Sequence, residues 1–266
     1  MYSKIVLSIG GSDSGGGAGI QADLRTFMSI KVHGCTVITC ITAQNSVGVV
    51  GVEAVESNIL INQIDSLFSD FKIHSLKTGM LLNEQIIINT ATKLKEYSIP
   101  KIIDPVMVSR TGTKLIEDSA INAYKKLIFP QAEIVTPNIY EANLLSDVQI
   151  RNEEDIEMSA QNILKFGSKA VLLKGGGLNR LKGKDFYIDN EGNREWLINK
   201  FVKTSNTHGS GCTLSAAICS YVALGFDLIE SIKKAKSFIE RSLEKSYKIG
   251  SGPGPLGHYQ KQQTDN

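Results

Sequence analysis

The chain has 266 residues, 42% of them hydrophobic and 21% charged, and its formal net charge is +2 at pH 7. These values exclude a largely disordered chain, and so small a charge excess argues against nucleic acid as the main partner. No apolar run approaches the about 18 residues that a membrane span needs, so no membrane partner is expected.

The amino-terminal stretch resembles a short strand followed by glycines and lacks the cleavage site of a secretory signal peptide. The four cysteines show neither a C-x-x-C motif nor zinc-finger spacing. We therefore expect a cytoplasmic protein with reduced cysteines. Cys35, Cys40 and Cys219 lie in apolar runs and are predicted to be buried, whereas Cys212 has a different context.

Runs rich in Val and Ile alternate with segments of helical periodicity along the chain. The predicted elements are, in order, strand 5–9, helix 19–31, strand 36–41, helix 59–71, strand 74–78, helix 84–97, strand 101–103, helix 118–127, strand 133–135, helices 140–145 and 153–166, strand 170–173, short strands within 185–202, and helices 211–224 and 228–246. This alternation predicts a three-layer α/β/α sandwich with a mostly parallel central sheet. No linker composition divides the chain, so we expect one domain over 1–266, with a mobile tail after about 258.

Polar, Gly and Pro residues follow the carboxyl end of each predicted parallel strand. They are Gly10-Gly11, Gln44-Asn45, Gly79-Met80, Asp104-Pro105, Pro137-Asn138 and Lys174-Gly175. Ligands of open α/β sheets bind at that edge. The sequence therefore predicts an enzyme active site there.

The first of these strands leads into residues 10–19, which include six glycines. Glycines allow backbone N–H groups to approach a ligand, so the glycine-rich loop (residues 10–19) is expected to direct amides at an anion near a helix N-terminus. The alternative is a turn that needs several positive φ angles. Six glycines in ten residues exceed what a turn needs and favour the functional interpretation.

A second motif, Thr207-His208-Gly209-Ser210-Gly211-Cys212-Thr213, opens a strongly apolar helix. The amides of Gly209, Ser210, Gly211 and Cys212 would lie at the positive end of the helix dipole and form an oxyanion or phosphate site, here called the anion cradle. At that position the Cys212 thiol is expected to be more acidic than a free one, and hence a better base or nucleophile. Alternatively, Cys212 is only a small residue at the start of the helix, and His208 caps the helix or packs in the core.

Three further side chains suit a nucleotide site. Asp104 and Glu141 are carboxylates of the kind that bind Mg²⁺, which takes few protein ligands and keeps its waters. Lys174, before three glycines, would pair with a phosphate. The alternatives are a turn cap for Asp104, a first-turn helix acid for Glu141 and a solvated surface side chain for Lys174. For Glu141 alone the alternative is equally good.

Together these segments carry a resemblance to a known family. The strings are GGSDSGGGAGIQAD, ITAQNSVGV, KTGM, DPVMVSRTG, TPNIYEA, LLKGGG and NTHGSGCTLSAAI. In this order they are similar to the hydroxymethylpyrimidine/phosphomethylpyrimidine kinases of the ribokinase-like superfamily, over nearly the whole chain. The resemblance implies ATP-dependent phosphorylation of 4-amino-5-hydroxymethyl-2-methylpyrimidine and of its monophosphate in thiamine biosynthesis, Mg²⁺ as cofactor, and a homodimer.

The resemblance also implies roles for individual residues. The pyrimidine pocket would be lined by Gly11, Asp23, Gln44, Met80 and Val106. ATP would contact Asn138, Lys174 and Thr207, the metal side would be Asp104 and Glu141, and the catalytic anion hole would be Gly209, Ser210, Gly211 and Cys212. The amide of Gln44 offers the donors and the acceptor that an aminopyrimidine edge needs. Met80 and Val106 would supply apolar walls.

Most of the superfamily has an Asp base where this chain has Cys212, but the pyrimidine kinases share the cysteine. One hypothesis is that a Cys212 thiolate takes the proton of the acceptor hydroxyl. Because phosphoryl transfer depends mostly on positioning and charge neutralisation, the anion hole would matter more than the base.

Other functions stay open at this stage. A pyridoxal kinase would share the scaffold, although Gln44-Asn45 favours the pyrimidine. A cysteine hydrolase would use Cys212 and His208, but no third group that orients the histidine is evident. A non-catalytic binder would leave the acids and the proposed base without a use. The loop that closes over the site would be the predicted hairpin near Gly192 or the segment Ser109 to Lys114.

Overall fold

The computed structural model describes residues 4–107 and 116–259. In these residues one sheet has nine strands in the order β3-β2-β1-β4-β5-β6-β7-β8-β9. The strands are β1 (Ile5–Asp13), β2 (His33–Gln44), β3 (Val49–Ala54), β4 (Ile73–Thr78), β5 (Lys101–Ile103), β6 (Ile134–Val135), β7 (Ala170–Lys174), β8 (Lys184–Asp189) and β9 (Arg194–Ile198). Strands β1, β2 and β4–β7 are mutually parallel, while β3, β8 and β9 pair antiparallel at the two ends of the sheet.

Helices connect the parallel strands and cover both faces of the sheet. They are α1 (Gly19–Ile30), α2 (Ser57–Asp70), α3 (Glu84–Leu94), α4 (Asp118–Ala123), α5 (Ile139–Ser146), α6 (Glu153–Leu164), α7 (Ser210–Leu224) and α8 (Leu228–Glu244). A π-helical turn, Tyr124–Ile128, extends α4 over the rest of the predicted helix. None of the helices in the described ranges is long and apolar enough to cross a bilayer.

Consecutive strand residues enter opposite cores, as the alternation of side chains along a strand requires. Val6, Ile102, Ile134 and Leu172 pack with α1, α7 and α8 in one core. Their neighbours Leu7, Ile103, Val135 and Leu173 pack with α2–α6 in the other. Because both sides of these strands are apolar, both faces of the sheet must be covered, which confirms the predicted α/β/α sandwich.

The structure departs from the predicted elements at the amino-terminal half of the sheet. Strand β1 continues to Asp13 through residues predicted to form a loop, and β2 is extended at both ends. Strand β3 was not predicted. Its residues are exposed, including Val50 at 87%, so it has no buried apolar run that would mark it as a strand.

One of the two predicted closing loops, the hairpin near Gly192, does not lie at the carboxyl ends of the parallel strands. The turn between β8 and β9 falls beyond Asp189, which pairs with Ala170 at the amino end of β7. That end is the opposite edge of the sheet, so the hairpin near Gly192 does not cover the predicted site. The segment Ser109 to Lys114 lies outside the described residues.

The carboxyl-terminal segment packs against the body of the fold as far as the structure describes it. His258 is 4% exposed. Its backbone oxygen accepts from Ser29 Oγ at 2.8 Å, and its Nε2 lies 2.9 Å from Thr213 Oγ1. Of the tail predicted to be mobile, residues 260–266 lie outside the described residues.

Candidate active site

The carboxyl ends of the parallel strands meet at one edge of the sheet, as the sequence predicts. Asp13 ends β1, Gln44 ends β2 and Lys174 ends β7, while Met80 and Asp104 follow β4 and β5 directly. Between β1 and β7 these residues belong to neighbouring parallel strands. The sheet therefore assembles residues from across the sequence into one site.

Asp104 and Lys174 form an ion pair in the middle of this edge. Lys174 Nζ donates to Asp104 Oδ1 at 3.0 Å, and the two side chains are 14% and 3% exposed. The other carboxylate oxygen accepts from Ser215 Oγ at 3.3 Å. Burial acts to lower the pKa of Lys174, but Asp104 and Glu141 outweigh it and raise that pKa. Lys174 is thus a fixed cation and not a solvated surface lysine.

The amino end of α7 faces this ion pair. Gly209 caps the helix with a φ of 83°, a left-handed conformation that glycine adopts readily. A Cβ placed on Gly211 would lie 3.4 Å from Lys174 Nζ and 3.7 Å from Asp104 Oδ2. The N–H groups of Gly211 and Cys212 donate to no other described residue, as is usual in the first turn of a helix. Free amides and a buried cation therefore meet here.

Cys212 is less acidic than the sequence predicts. Burial raises the pKa of its thiol to about 11, although Lys77 opposes the increase. With a pKa of about 11, the thiol is protonated at neutral pH. Cys35, Cys40 and Cys219 are buried, as expected.

The structure also bears on the cysteine-hydrolase alternative. It supplies a carboxylate for His208 that was not evident from the sequence, since His208 Nε2 lies 2.9 Å from Asp13 Oδ2. Yet no hydrogen bond among the described residues joins His208 to Cys212. The histidine is therefore not arranged as a base for that thiol.

Asn138 and Glu141 form the capping box of α5. Glu141 N–H donates to Asn138 Oδ1 at 3.0 Å, and Asn138 N–H donates to Glu141 Oε2 at 2.8 Å. Glu141 is 2% exposed. Its burial raises the pKa to about 8; Lys174 opposes the increase and Asp104 adds to it. Glu141 is thus both a first-turn acid and a neighbour of the Asp104–Lys174 pair.

These carboxylates fit a magnesium ion that is held jointly with a nucleotide. Asp104 and Glu141 offer the oxygen donors that Mg²⁺ prefers. Within residues 4–107 and 116–259, no three His, Cys, Asp or Glu side chains form a complete metal site. A bound Mg²⁺ would therefore take its other ligands from phosphate oxygens and water.

Asp23 does not lie on a pocket wall as predicted. Its carboxylate accepts from Lys77 Nζ at 3.1 Å and from Ser8 Oγ at 2.6 Å, and both members of the ion pair are 1% exposed. Burial lowers the pKa of Lys77, but the charge of Asp23 reverses this effect and raises it. The sequence analysis missed Lys77. A lysine within a predicted buried strand was the available signal, because such a charge needs a partner.

The glycine-rich loop does not present its amides to a ligand as predicted. The carboxylate of Asp13 accepts from the N–H groups of Gly15, Gly17 and Ala18, at 2.8, 3.1 and 2.8 Å. The N–H of Gly16 donates to the Asp13 backbone oxygen at 2.9 Å. The loop thus wraps an anion that belongs to the protein. An Asp two residues before a glycine is a turn signature, and that signal could have identified Asp13.

Gln44 lies beside His208 with part of its amide unused. Gln44 Nε2 is 3.4 Å from His208 Nε2, which is the nitrogen that contacts Asp13. Because a carboxylate only accepts, His208 Nε2 carries the proton and cannot accept from Gln44. Thr42 Oγ1 donates to Gln44 Oε1 at 3.2 Å. The donors of the Gln44 amide therefore remain available to a ligand.

Two of the predicted pocket residues, Gly11 and Met80, are in contact with each other. A Cβ on Gly11 would lie 2.8 Å from Cys40 Sγ and 3.0 Å from Met80 Cε, so Gly11 and Met80 are in contact. Val106 is half-buried two residues after Asp104. Thr207 precedes the cradle, and its backbone oxygen accepts from Ser210 N–H at 3.2 Å.

Comparison with known proteins identifies relatives over nearly the whole chain. The phosphomethylpyrimidine kinase family matches residues 13–257. The hydroxymethylpyrimidine/phosphomethylpyrimidine kinase of Synechococcus elongatus is 46% identical over 260 residues, which cover 97% of this chain and 98% of the relative.

Solved structures similar to this fold include both a pyrimidine and a pyridoxal kinase. A phosphomethylpyrimidine kinase from Clostridium difficile 630 has a TM-score of 0.80 at 38% identity, covering 90% of this chain and 98% of that one. An ADP complex of Bacillus subtilis pyridoxal kinase has a TM-score of 0.88 at 33% identity, covering 96% and 97%.

Proposed function

Since this chain belongs to the phosphomethylpyrimidine kinase family, we propose that it uses ATP to phosphorylate 4-amino-5-hydroxymethyl-2-methylpyrimidine. It then phosphorylates the monophosphate to the diphosphate, within thiamine biosynthesis. The observation that carries the proposal is the position of Gly211, where a Cβ would lie 3.4 Å from Lys174 Nζ. Free helix amides and a fixed cation at one point are the groups that stabilise a phosphoryl group during transfer.

On the nucleotide side, Lys174 binds a phosphate of ATP, and Asn138 and Thr207 complete the contacts. Lys174 is held in place by Asp104 at 3.0 Å, so it pays little entropy to meet a phosphate. Asp104 and Glu141 would hold Mg²⁺, which when bound neutralises phosphate charge. Because the pKa of Glu141 is about 8, its carboxyl gives up a proton when a cation binds.

On the acceptor side, Gln44 pairs with the aminopyrimidine edge through its free amide donors. Gly11, Met80 and Val106 contact the ring. The buried carboxylate of Asp23 does not contact the ring. It contributes by holding Lys77 in place. A ligand that cannot pair with the polar groups of the site leaves them without hydrogen bonds, so the site discriminates strongly against that ligand.

In the transfer step, the oxygen of the acceptor attacks the γ-phosphorus and the bond to the ADP oxygen breaks; a hydroxyl acceptor passes its proton to a phosphate oxygen or to water. A thiol with a pKa of about 11 already holds its proton at neutral pH and is a poor acceptor for another. We therefore assign Cys212 to the cradle through its N–H, and expect Cys212→Ser to keep most of the turnover.

The proposal also covers the number of domains, the cellular location and the oligomeric state. The chain folds as one domain, since a single sheet runs through the described elements from Ile5 to Ile198. It works in the cytoplasm, where ATP is found. It forms a homodimer, for which the β2–β3 hairpin offers exposed apolar side chains. These are Ile41, Val47, Val49, Val50 and Val52. Light scattering on the purified chain tests the dimer.

The test of the function is ADP release by the purified chain with Mg-ATP and one acceptor at a time. We expect turnover on the hydroxymethylpyrimidine and on its monophosphate, each well above a blank without acceptor. Cys212→Ser serves as the companion variant. ADP from neither pyrimidine would overturn the proposal.

A second candidate is a pyridoxal kinase, favoured by the similarity to the B. subtilis enzyme at a TM-score of 0.88. Pyridoxal in a separate reaction decides between the two. Faster turnover on pyridoxal than on either pyrimidine would keep the phosphoryl transfer and replace the acceptor.

A further inference from the structure

We propose that Asp13 and His208 are positioning residues that lock the glycine-rich loop onto the anion cradle and thereby hold Gln44 at the acceptor site. The kinetic part of this inference rests on the proposed kinase function, whereas the lock itself does not. Neither residue is assigned to the ligand contacts described above.

The lock begins with a carboxylate whose hydrogen bonds all go to elements of the site. Asp13 is 4% exposed, and it binds three loop amides and the His208 ring. Burial acts to raise its pKa, yet the hydrogen bonds from His208 and Ala18 hold that pKa below its usual range. One ionised carboxylate therefore joins two segments that are 195 residues apart in the chain.

The backbones of the two segments also touch directly. A Cβ on Gly17 would overlap the His208 ring, and a Cβ on Gly209 would overlap the Gly17 carbonyl. No side chain separates the glycine-rich loop from the first residue of the cradle. Displacing the His208 ring would therefore move the loop and the cradle relative to each other.

The main chain of His208 is fixed independently of its ring. His208 N–H donates to Gly254 O at 3.1 Å. Gly252 N–H in the same carboxyl-terminal segment donates to Ser46 Oγ at 3.2 Å, two residues beyond Gln44. Because the backbone is held from the other side, substitution of the ring tests the lock without releasing the segment.

The His208 ring also lies against the Gln44 amide. Their nitrogens are 3.4 Å apart, and because His208 Nε2 donates its proton to Asp13, this is a packing contact and not a hydrogen bond. The glycine-rich loop also holds the main chain of Gln44 directly, because Gln44 N–H donates to Ser14 Oγ and Ser14 Oγ donates to the Gln44 backbone oxygen, each at 2.8 Å. Loss of the lock should thus weaken binding of the pyrimidine more than binding of ATP.

Four variants test the lock in the full-length chain. His208→Phe keeps a ring but removes the donor. His208→Gln restores an N–H donor for Asp13. Gly17→Ala displaces the ring without deleting any group. Asp189→Asn is the matched control, because Asp189 also accepts two turn amides, from Glu191 and Asn193, but lies at the opposite edge of the sheet.

We expect His208→Phe and Gly17→Ala to raise the KM for the pyrimidine about tenfold, with less than about a threefold change in the KM for ATP. His208→Gln should recover most of the difference, and Asp189→Asn should match the wild type. Equal changes in both KM values, no change, or failure of His208→Gln to improve on His208→Phe would contradict the proposal.

A readout that needs no catalysis separates the lock from the kinase function. Cys35, Cys40 and Cys219 are buried, so iodoacetamide should modify Cys212 first. The Gly19 amide of the loop faces the Cys212 thiol. A loosened loop should expose that thiol and speed alkylation in His208→Phe and Gly17→Ala, but not in Asp189→Asn.

Unchanged alkylation in all the variants would reject the lock even if the wild type proved to be an active kinase. If the wild type showed no kinase activity but His208→Phe and Gly17→Ala were still alkylated faster than it, the lock would stand and the proposed function would be rejected.

Discussion

Lys77 and Asp23 form an ion pair at 3.1 Å in which each side chain is only 1% exposed. The pair lies close to the anion cradle, since the charges of both residues act on the Cys212 thiol. Removal of one partner from such a pair leaves a charge with no solvent and no counter-ion. It is therefore a support of the site as well as a part of the core.

Lys77→Met should destabilise the protein by about 3–5 kcal/mol, because it strands the Asp23 carboxylate. Urea unfolding followed by circular dichroism measures the change. The double variant Asp23→Leu/Lys77→Met should recover part of the loss, since no charge is left buried. Lys169→Met is the control, because Lys169 pairs with Glu133 but is 65% exposed. A single variant as stable as the wild type would show that the pair contributes nothing.

Lys174→Met should lower kcat/KM for ATP by at least about a hundredfold, since it removes a fixed cation from the phosphates and leaves Asp104 unpaired. The ADP-release assay gives this value. Lys169→Met again serves as the control, as it lies just before the same strand. Turnover of Lys174→Met within about threefold of the wild type would mean that Lys174 does not contact the transferred group.

Gln44→Leu should raise the KM for the pyrimidine about a hundredfold or more, because the aminopyrimidine edge would lose its hydrogen-bonding partner. Leu keeps similar bulk, so the glycine-rich loop should remain in place. Steady-state kinetics with the acceptor varied at saturating ATP measures the effect. An unaltered KM would place the pyrimidine elsewhere on the sheet edge.

The alkylation rate of Cys212 should rise about tenfold per pH unit from pH 7 and level off near pH 11, since the thiolate is the nucleophile. The pKa of about 11 follows from burial, which Lys77 opposes. Lys77→Met should therefore move the midpoint to higher pH, provided that it folds at the temperature used. A midpoint at or below that of a free cysteine would show that the helix terminus outweighs burial.

Stability should fall in mild acid because of His258. Burial lowers the pKa of its imidazole to about 4, from an ordinary value of 6.5. Between these values the unfolded chain binds a proton that the folded chain does not. The contribution is therefore complete above pH 6.5 and is lost as the pH falls through 4, by about 3 kcal/mol.

His258→Gln tests that contribution, because Gln retains a hydrogen bond to Thr213 without titrating. Urea unfolding at several values between pH 7.5 and 4 should show a steeper decline for the wild type than for the variant. Parallel curves would mean that His258 is protonated in the folded state.

The amino-acid sequence is enough to predict most of the strands and helices along the chain and the edge of the sheet at which the candidate site lies. Consecutive apolar residues such as Ile102 and Ile103 indicate a strand that is buried on both sides. The polar residues that follow such a run indicate the carboxyl end of the strand. Asp104, Asn138, Glu141 and Lys174 could therefore be predicted to meet, because parallel strands align their ends. The exposed strand β3 escaped this reasoning because it buries no continuous run.

The pairing of the charges at that edge could not be predicted and is seen first in the folded protein. Asp13 binds loop amides that the sequence assigned to a ligand, and it also binds His208, while Asp23, predicted to line the pocket, pairs with Lys77 instead. The acidity of Cys212 was likewise misjudged, since a helix terminus can be inferred from sequence whereas depth of burial cannot. Two residues far apart in the chain form a pair only if packing brings their side chains within about 3 Å of each other. Hydrophobic periodicity along the chain does not predict such contacts.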